Sequence, residues 1–117
     1  MIQFETKTKG KITRISLSGK ILSRADAEPI LEEATQLINS GKTKLILDLS
    51  KTIFLNSEGL NALLKILTLC RREGGECVLC KTSDELNTLF IMTKLNHIFT
   101  VTANLKEAEE SLKEMKV

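Results

Sequence analysis

Ser57 is the residue whose type and position could do the most chemistry. It stands in Asn56-Ser57-Glu58-Gly59, after the apolar segment Ile53-Phe54-Leu55 and before an amphipathic run that begins at Leu60. A hydroxyl at a helix start lies beside backbone N–H groups that lack intrahelical partners, at the positive end of the helix dipole. A phosphate can be added and held there. The same position also suits a plain helix cap, in which Ser57 or Asn56 accepts a backbone hydrogen bond worth about 1 kcal/mol.

The other groups with chemical potential lack partners at useful spacing. Cys77-Val78-Leu79-Cys80 has the C-x-x-C spacing of redox and zinc sites, but the segment reads as a strand. Residues three apart in a strand point to opposite faces, so the thiols diverge, and buried structural cysteine is the better reading. His97 is the only histidine, and no Gly-x-Ser-x-Gly elbow is present, so a Ser-His-Asp arrangement has little to build on. Gly74-Gly75 follows a helix, which makes it a helix terminator and turn, not a phosphate loop. The sequence shows no metal set, no cofactor motif and no positive sign of catalysis.

The elements that must position Ser57 follow from periodicity. Ile2–Thr8 alternates as a half-buried strand. Gly10-Lys11 turns it into a second strand with Ile12, Ile15 and Leu17 that closes at Gly19, giving an N-terminal hairpin. Ala27, Ile30, Leu31, Ala34, Leu37 and Ile38 share one helix face ending at Ser40-Gly41. Pro29 belongs in the first turn of that helix, which makes Asp26 a better cap than Ser23. Leu45–Leu49 reads as a central strand covered on both faces, followed by a connector and a second short apolar segment.

A helix runs from Ser57 to Arg72, and Cys77–Cys80 is the next strand. Thr82-Ser83-Asp84-Glu85 resembles a capping box before Leu86, Leu89 and Phe90. Ile98–Val101 is a last short strand, and Asn104 with Glu107 opens a final helix carrying Leu105, Ala108, Leu112 and Met115. A hairpin followed by alternating strands and helices predicts an α/β sandwich: a mixed, mostly parallel sheet with about four helices, mainly on one face. On the Ser57–Arg72 helix, Leu60, Leu63, Leu64 and Leu67 form the stripe expected to face the sheet. Ala62, Ile66 and Leu69 form a second stripe, either wedged against a neighbouring helix or left for a partner protein or a second copy.

Size and composition set the class. At 117 residues the chain is expected to be one domain over residues 1–117, with one core. A net charge of +2 and four Phe without Trp or Tyr give no case for nucleic acid. No apolar run approaches a membrane span, MIQFETKTKG carries no signal-peptide apolar region, and the odd cysteine count suits a reducing compartment. The expected location is the cytoplasm.

At these residues the chain resembles the STAS domain, specifically the bacterial anti-sigma factor antagonists. The family pattern is an apolar strand ending near Asp-Leu, a spacer, a Phe-led segment, then Asp-Ser-Ser/Thr-Gly-Leu opening a helix. Leu45–Leu49, Ile53-Phe54-Leu55 and Asn56-Ser57-Glu58-Gly59-Leu60 match it in order, and Gly19, Gly74-Gly75-Glu76 and Leu89-Phe90 extend the resemblance along the chain. It implies a non-enzymatic switch. The unphosphorylated protein binds an anti-sigma factor, an ATP-binding serine kinase, and frees a sigma factor; phosphorylation at the position of Ser57 releases it, and a serine phosphatase resets it. Asn56, Glu58 and Gly59 would then form the phosphorylation loop. Leu22, Ser23, Leu60, Ala62, Ile66 and Leu69 would bind the partner, with Gly59 admitting close backbone approach.

The motif's Asp is Asn56 here, Glu58 replaces Ser or Thr, and Leu22 stands where many members are acidic. Fewer carboxylates ease the holding of a phosphate, whereas Glu58 repels it. These departures favour the alternative of a STAS scaffold that is never phosphorylated, a subunit of a signalling assembly or of a lipid-transport complex.

Overall fold

Residues 2–114 are described in the computed structural model of this chain. Among them the elements run β1 (Ile2–Lys9), β2 (Ile12–Ile21), α1 (Arg24–Asn39), β3 (Lys44–Leu55), α2 (Ser57–Arg72), β4 (Glu76–Cys80), α3 (Asp84–Met92), β5 (Thr100–Thr102) and α4 (Leu105–Lys113), with a 3-10 turn at Leu95–His97 before β5. β1 and β2 form the expected antiparallel hairpin, with Gly10 at φ +61° in its turn. The other neighbouring pairs are parallel, and the order across the sheet is β1-β2-β3-β4-β5.

That sequential order explains the layers. Each crossover steps across the sheet in the same direction, so right-handed connections place their helices on one face. Residues of α1, α2 and α3 accordingly share one core with the same side of the sheet, including Ile30, Ala34, Leu63, Ile66, Leu86 and Phe90 over Ile15, Leu17, Leu45 and Leu47. The helix α4 follows the last of these strands and completes no crossover among them. It covers the opposite face, where Ala108 and Leu112 lie against Ile46, Val78 and Cys80. The predicted mixed sandwich is therefore the observed one, with three helices on one face and one on the other.

Several boundaries differ from expectation. The run Leu45–Leu49 and the segment Ile53-Phe54-Leu55 belong to one twelve-residue strand, β3. Two register shifts against β2, near Ser16–Ser18 and Gly19–Lys20, let the strand continue where its apolar pattern breaks. Strand β2 likewise passes Gly19 (φ +110°) and ends at Ile21. The cap of α1 is Ser23, whose hydroxyl accepts from the Asp26 N–H, and not Asp26. Pro29 thus falls in the second turn, where its missing N–H leaves the Ala25 carbonyl without its helical donor; Ala25 is exposed, so water can satisfy it.

The cap of α3 is Ser83, one residue later than the box expected from Thr82. The last strand is Thr100–Thr102, because Leu95–His97 coils first. Asn104 and Glu107 form the reciprocal capping pair that opens α4. Met115, assigned to that helix by sequence, lies outside the described residues.

Gly75 is fixed by packing. It bonds back to the Cys70 carbonyl, and a Cβ built on it would sit 1.9 Å from the Thr43 carbonyl oxygen, where β3 begins. Thr43 O also accepts from the Glu76 N–H and sets the β3–β4 register. Gly75→Ala is expected to cost about 3 kcal/mol by displacing this junction. The urea midpoint should fall accordingly, while the exposed Lys51→Ala stays within about 0.5 kcal/mol of wild type.

Candidate functional site

In parallel sheets, ligands and partners gather beyond the carboxyl ends of the strands, where helices begin. Here β2 and β3 end side by side, and α1 and α2 start from them. The Asn56 N–H donates to the Ile21 carbonyl at 3.0 Å, which ties the two strand–helix loops together. In the first loop, Ser23 accepts from Asp26 N–H while the Asp26 carboxylate accepts from the Leu22 N–H at 2.9 Å. In the second, Asn56 Oδ1 accepts from the Gly59 N–H at 3.1 Å, and the Asn56 carbonyl accepts from the Leu60 N–H.

This division of labour decides the role of each residue around Ser57. Asn56 is the cap, so it silences one of the orphan N–H groups of α2. Ser57 is the first helical residue. It is exposed, and its hydroxyl makes no hydrogen bond among the described residues. The N–H groups of Ser57 and Glu58 remain in the first turn without a helical acceptor, next to that hydroxyl. Glu58 is exposed beside it.

The apolar surroundings differ from the set read from sequence. Leu22 (54% exposed), Ile53 (64%) and Phe54 (46%) are exposed on the strand ends and loop that carry Ser57. Leu22 and Ser23 are thus surface residues at this end, and Leu60 is half-buried. Ala62 and Ile66 are buried in the core that α2 shares with α1 and the sheet, so they offer a partner no surface. The buried side of α2 is Ala62, Leu63, Ile66, Leu67 and Cys70, whereas Leu60 and Leu64 flank it.

Leu69 lines a groove with Thr35, Ile38 and Asn39, where α1 and α2 end, about 18 Å along the helix from Ser57. It belongs to another part of the molecule. Gly59 does serve a close approach, but an internal one: a Cβ there would lie 3.1–3.2 Å from Ile21 and Leu55 side chains.

Ile53 and Phe54 are the surface residues that the sequence reading passed over as a site. β4 pairs with β3 only as far as Asp48–Cys80, so the end of β3 has β2 alone as a neighbour. Side chains that a central strand would bury are left in water.

The cysteines stand as argued, with one addition. Cys77 faces the three-helix side and Cys80 the α4 side. Cys70, which the spacing argument did not consider, lies against Cys77. A hydrogen bond with Cys70, followed by burial, holds the Cys77 thiol well above the ordinary range. Burial, then the Asp48 carboxylate, pushes Cys80 up to about 11. Such thiols stay protonated and poorly nucleophilic near neutrality. His97 is exposed on the 3-10 turn, and among the described residues no group of three His, Cys, Asp or Glu converges as a metal site.

The STAS domain profile matches residues 3–108. BtrV of Bordetella bronchiseptica, which bears the name anti-sigma factor antagonist, is 30% identical over 88 residues, 75% of each chain. The fold matches an anti-sigma factor antagonist from Mycobacterium paratuberculosis with a TM-score of 0.86, at 19% identity over 97% of this chain and 96% of that one. It also matches the phosphorylated form of the Bacillus cell fate determinant SpoIIAA, with a TM-score of 0.74 at 21% identity, over 93% and 98% of the two chains. The chain belongs to the STAS domain family and, within it, to the anti-sigma factor antagonists. No helix among the described residues is long and apolar enough to cross a membrane.

Asn56→Ala removes the α2 cap and is expected to lower stability by about 1 kcal/mol, whereas Asn56→Asp keeps an acceptor and should cost little. Urea melts of both variants check the assignment; an unchanged Asn56→Ala midpoint would return the capping role to Ser57.

Proposed function

We propose that residues 1–117 form one cytoplasmic STAS domain that docks an ATP-binding anti-sigma factor kinase on the end of the molecule where α1 and α2 begin. Phosphorylation of Ser57 breaks the complex, and a serine phosphatase restores it. The observation that carries this reading is the division of roles at α2. Asn56 does the capping, so the exposed Ser57 hydroxyl is spared for chemistry beside two N–H groups able to receive a phosphate.

The chemistry of release follows from what surrounds Ser57. A phosphate adds about −1.5 to −2 charges at neutral pH. Leu22, Ile53 and Phe54 offer apolar surface on the same end, and docking there would require the phosphate to lose water. The charge opposes association without any change in the fold. The phosphorylated form of SpoIIAA, whose fold this chain shares, is consistent with a STAS domain that accepts the modification.

A second reading is supported by Asn56 and Glu58 themselves. An acidic side chain already borders the site and the motif's Asp is missing, as in a scaffold bound constitutively to its partner or pairing with a second copy. No residue among those described is assigned a catalytic role.

Incubation with the host's own anti-sigma kinase and ATP is expected to add one phosphate, mapped to Ser57 by intact mass and peptide analysis. Ser57→Ala should bind the kinase with or without ATP, and Ser57→Asp should bind at least about tenfold more weakly. If the kinase adds no phosphate and the complex persists in ATP, the scaffold reading replaces the switch.

Phe54→Ala should weaken kinase binding by about 2 kcal/mol, the scale of an aromatic anchor, with the urea midpoint nearly unchanged because the ring is exposed. A variant that binds as wild type would move the docking surface elsewhere.

A further inference from the structure

Helix α4 packs over β3, β4 and β5 and leaves the neighbouring part of its face of the sheet bare. There β1, β2 and β3, with the residue after β4, enclose a recess of about 500 Å³ that no residue of α4 lines. The sheet register builds it. Glu5 pairs with Ser16, Ser16 with Asp48, and Asp48 with Cys80, so these residues stand in one row across four strands. Ser16 and Ser18 line the recess, and their small side chains leave it concave.

Asp48 is the unusual member of the row. It is only 7% exposed, and a carboxylate buried this far requires partners. Its Oδ1 accepts from the Ser50 N–H at 3.0 Å and pins β3 where the register against β2 shifts. Its Oδ2 has no hydrogen-bond partner among the described residues. No fully covered side-chain oxygen or nitrogen among them lacks one, so Oδ2 opens on the recess that Asp48 lines.

Arg14, Lys51 and Lys81 line the same recess, and none of them belongs to an ion pair among the described residues. After burial, the charges that act on the Cys80 thiol are those of Asp48, Lys81 and Arg14, so all three converge on one part of the sheet. Lys81 is held at φ +57°, a left-handed conformation uncommon for lysine, and its N–H donates to the Thr102 carbonyl at 3.1 Å. A backbone outlier fixed in this way points to a use for its side chain.

We propose that this recess binds an acidic amino acid, a zwitterion with two carboxylates and one ammonium group, such as L-glutamate. Charge selects the class. Three cationic side chains against the carboxylates of Glu5 and Asp48 leave the lining with one excess positive charge. The ligand carries about −1 at neutral pH. Its carboxylates pair with Arg14, Lys51 and Lys81, and its ammonium donates to Asp48 Oδ2. An anion without a donor, such as sulfate or a phosphate chain, would set like charge against that oxygen. Phe4, the one aromatic residue lining the recess, packs against the three-helix core, so no free ring is left to stack on a base. The recess shares no residue with the Ser57 loop, so a ligand here and a kinase there need not compete.

The test is calorimetric titration of the full chain with L-glutamate at physiological salt, followed by amide chemical-shift mapping. Saturable binding is expected, with shifts centred on residues 14–18, 48–51 and 81. Glutarate, which lacks the ammonium, and 4-aminobutyrate, which lacks the α-carboxylate, should each bind at least about tenfold more weakly. Asp48→Asn keeps an acceptor for the Ser50 N–H and should remove most of the preference for L-glutamate over glutarate. Lys81→Gln should weaken both ligands, whereas Lys11→Gln, in the hairpin turn, should change neither. If Asp48→Asn does not fold, the glutarate comparison and Lys81→Gln decide the question in its place. No saturation at millimolar L-glutamate, equal binding of glutarate, the same shifts with inorganic sulfate, or shifts centred on Asn56–Leu60 would overturn the proposal.

Discussion

Strand β3 is bonded to β2 from Lys44 to Leu55 but to β4 only as far as Asp48. The rest of the molecule depends on that unequal pairing. The first half of the strand is enclosed by neighbours on both sides and by helices on both faces, so Leu45, Ile46 and Leu47 are fully buried. The second half outruns β4 and α4. Its register slips twice against β2, and it delivers Ile53, Phe54 and then Asn56 to the outer end of the sheet. A single Asn56–Ile21 backbone bond then fixes the start of α2 beside the loop that starts α1.

From that constraint the rest of the site follows by local chemistry. Helix α2 can begin at Ser57 because Asn56 supplies the cap, and it can lie close on the strands because residue 59 has no side chain to collide with Ile21 and Leu55. Seating the helix this deeply buries Ala62 and Ile66 and leaves its first turn at the surface. The exposed hydroxyl, the two N–H groups and the adjacent apolar side chains are consequences of one packing arrangement. The same strand carries Asp48 beside Cys80 on the α4 face, so the polar recess and the Ser57 loop are held apart by the sheet itself.

Much of the local structure was legible in advance. The β1 alternation, the Asn-Ser-Glu-Gly start of α2, the Gly74-Gly75 stop and the Asn104–Glu107 cap are written in neighbouring residues, because turns, caps and periodicity involve partners only a few positions away. The divergence of Cys77 and Cys80 follows from strand geometry alone. The errors have a common origin. Ser23 and Asp26 both suit a cap, and the choice depended on where Ile21 ends β2. Leu69 has the right periodicity for a stripe with Ala62 and Ile66, yet it ends far from Ser57 because a stripe along a helix does not say which part of it another helix covers.

The sequence by itself determined the family, the sheet-and-helix order and the serine at a helix start, since each depends on residue type and short-range spacing. Only the tertiary structure decided which residue caps that helix, which apolar side chains stay in water and which charged groups share a recess. Glu5, Arg14, Asp48 and Lys81 are distant from one another in the chain. Ile53 and Phe54 stand in a segment that the sequence marks only as apolar, and they are exposed because β4 stops short of them. Burial and electrostatic potential depend on what lies nearby in space, and sheet pairing between residues far apart in sequence sets those neighbours.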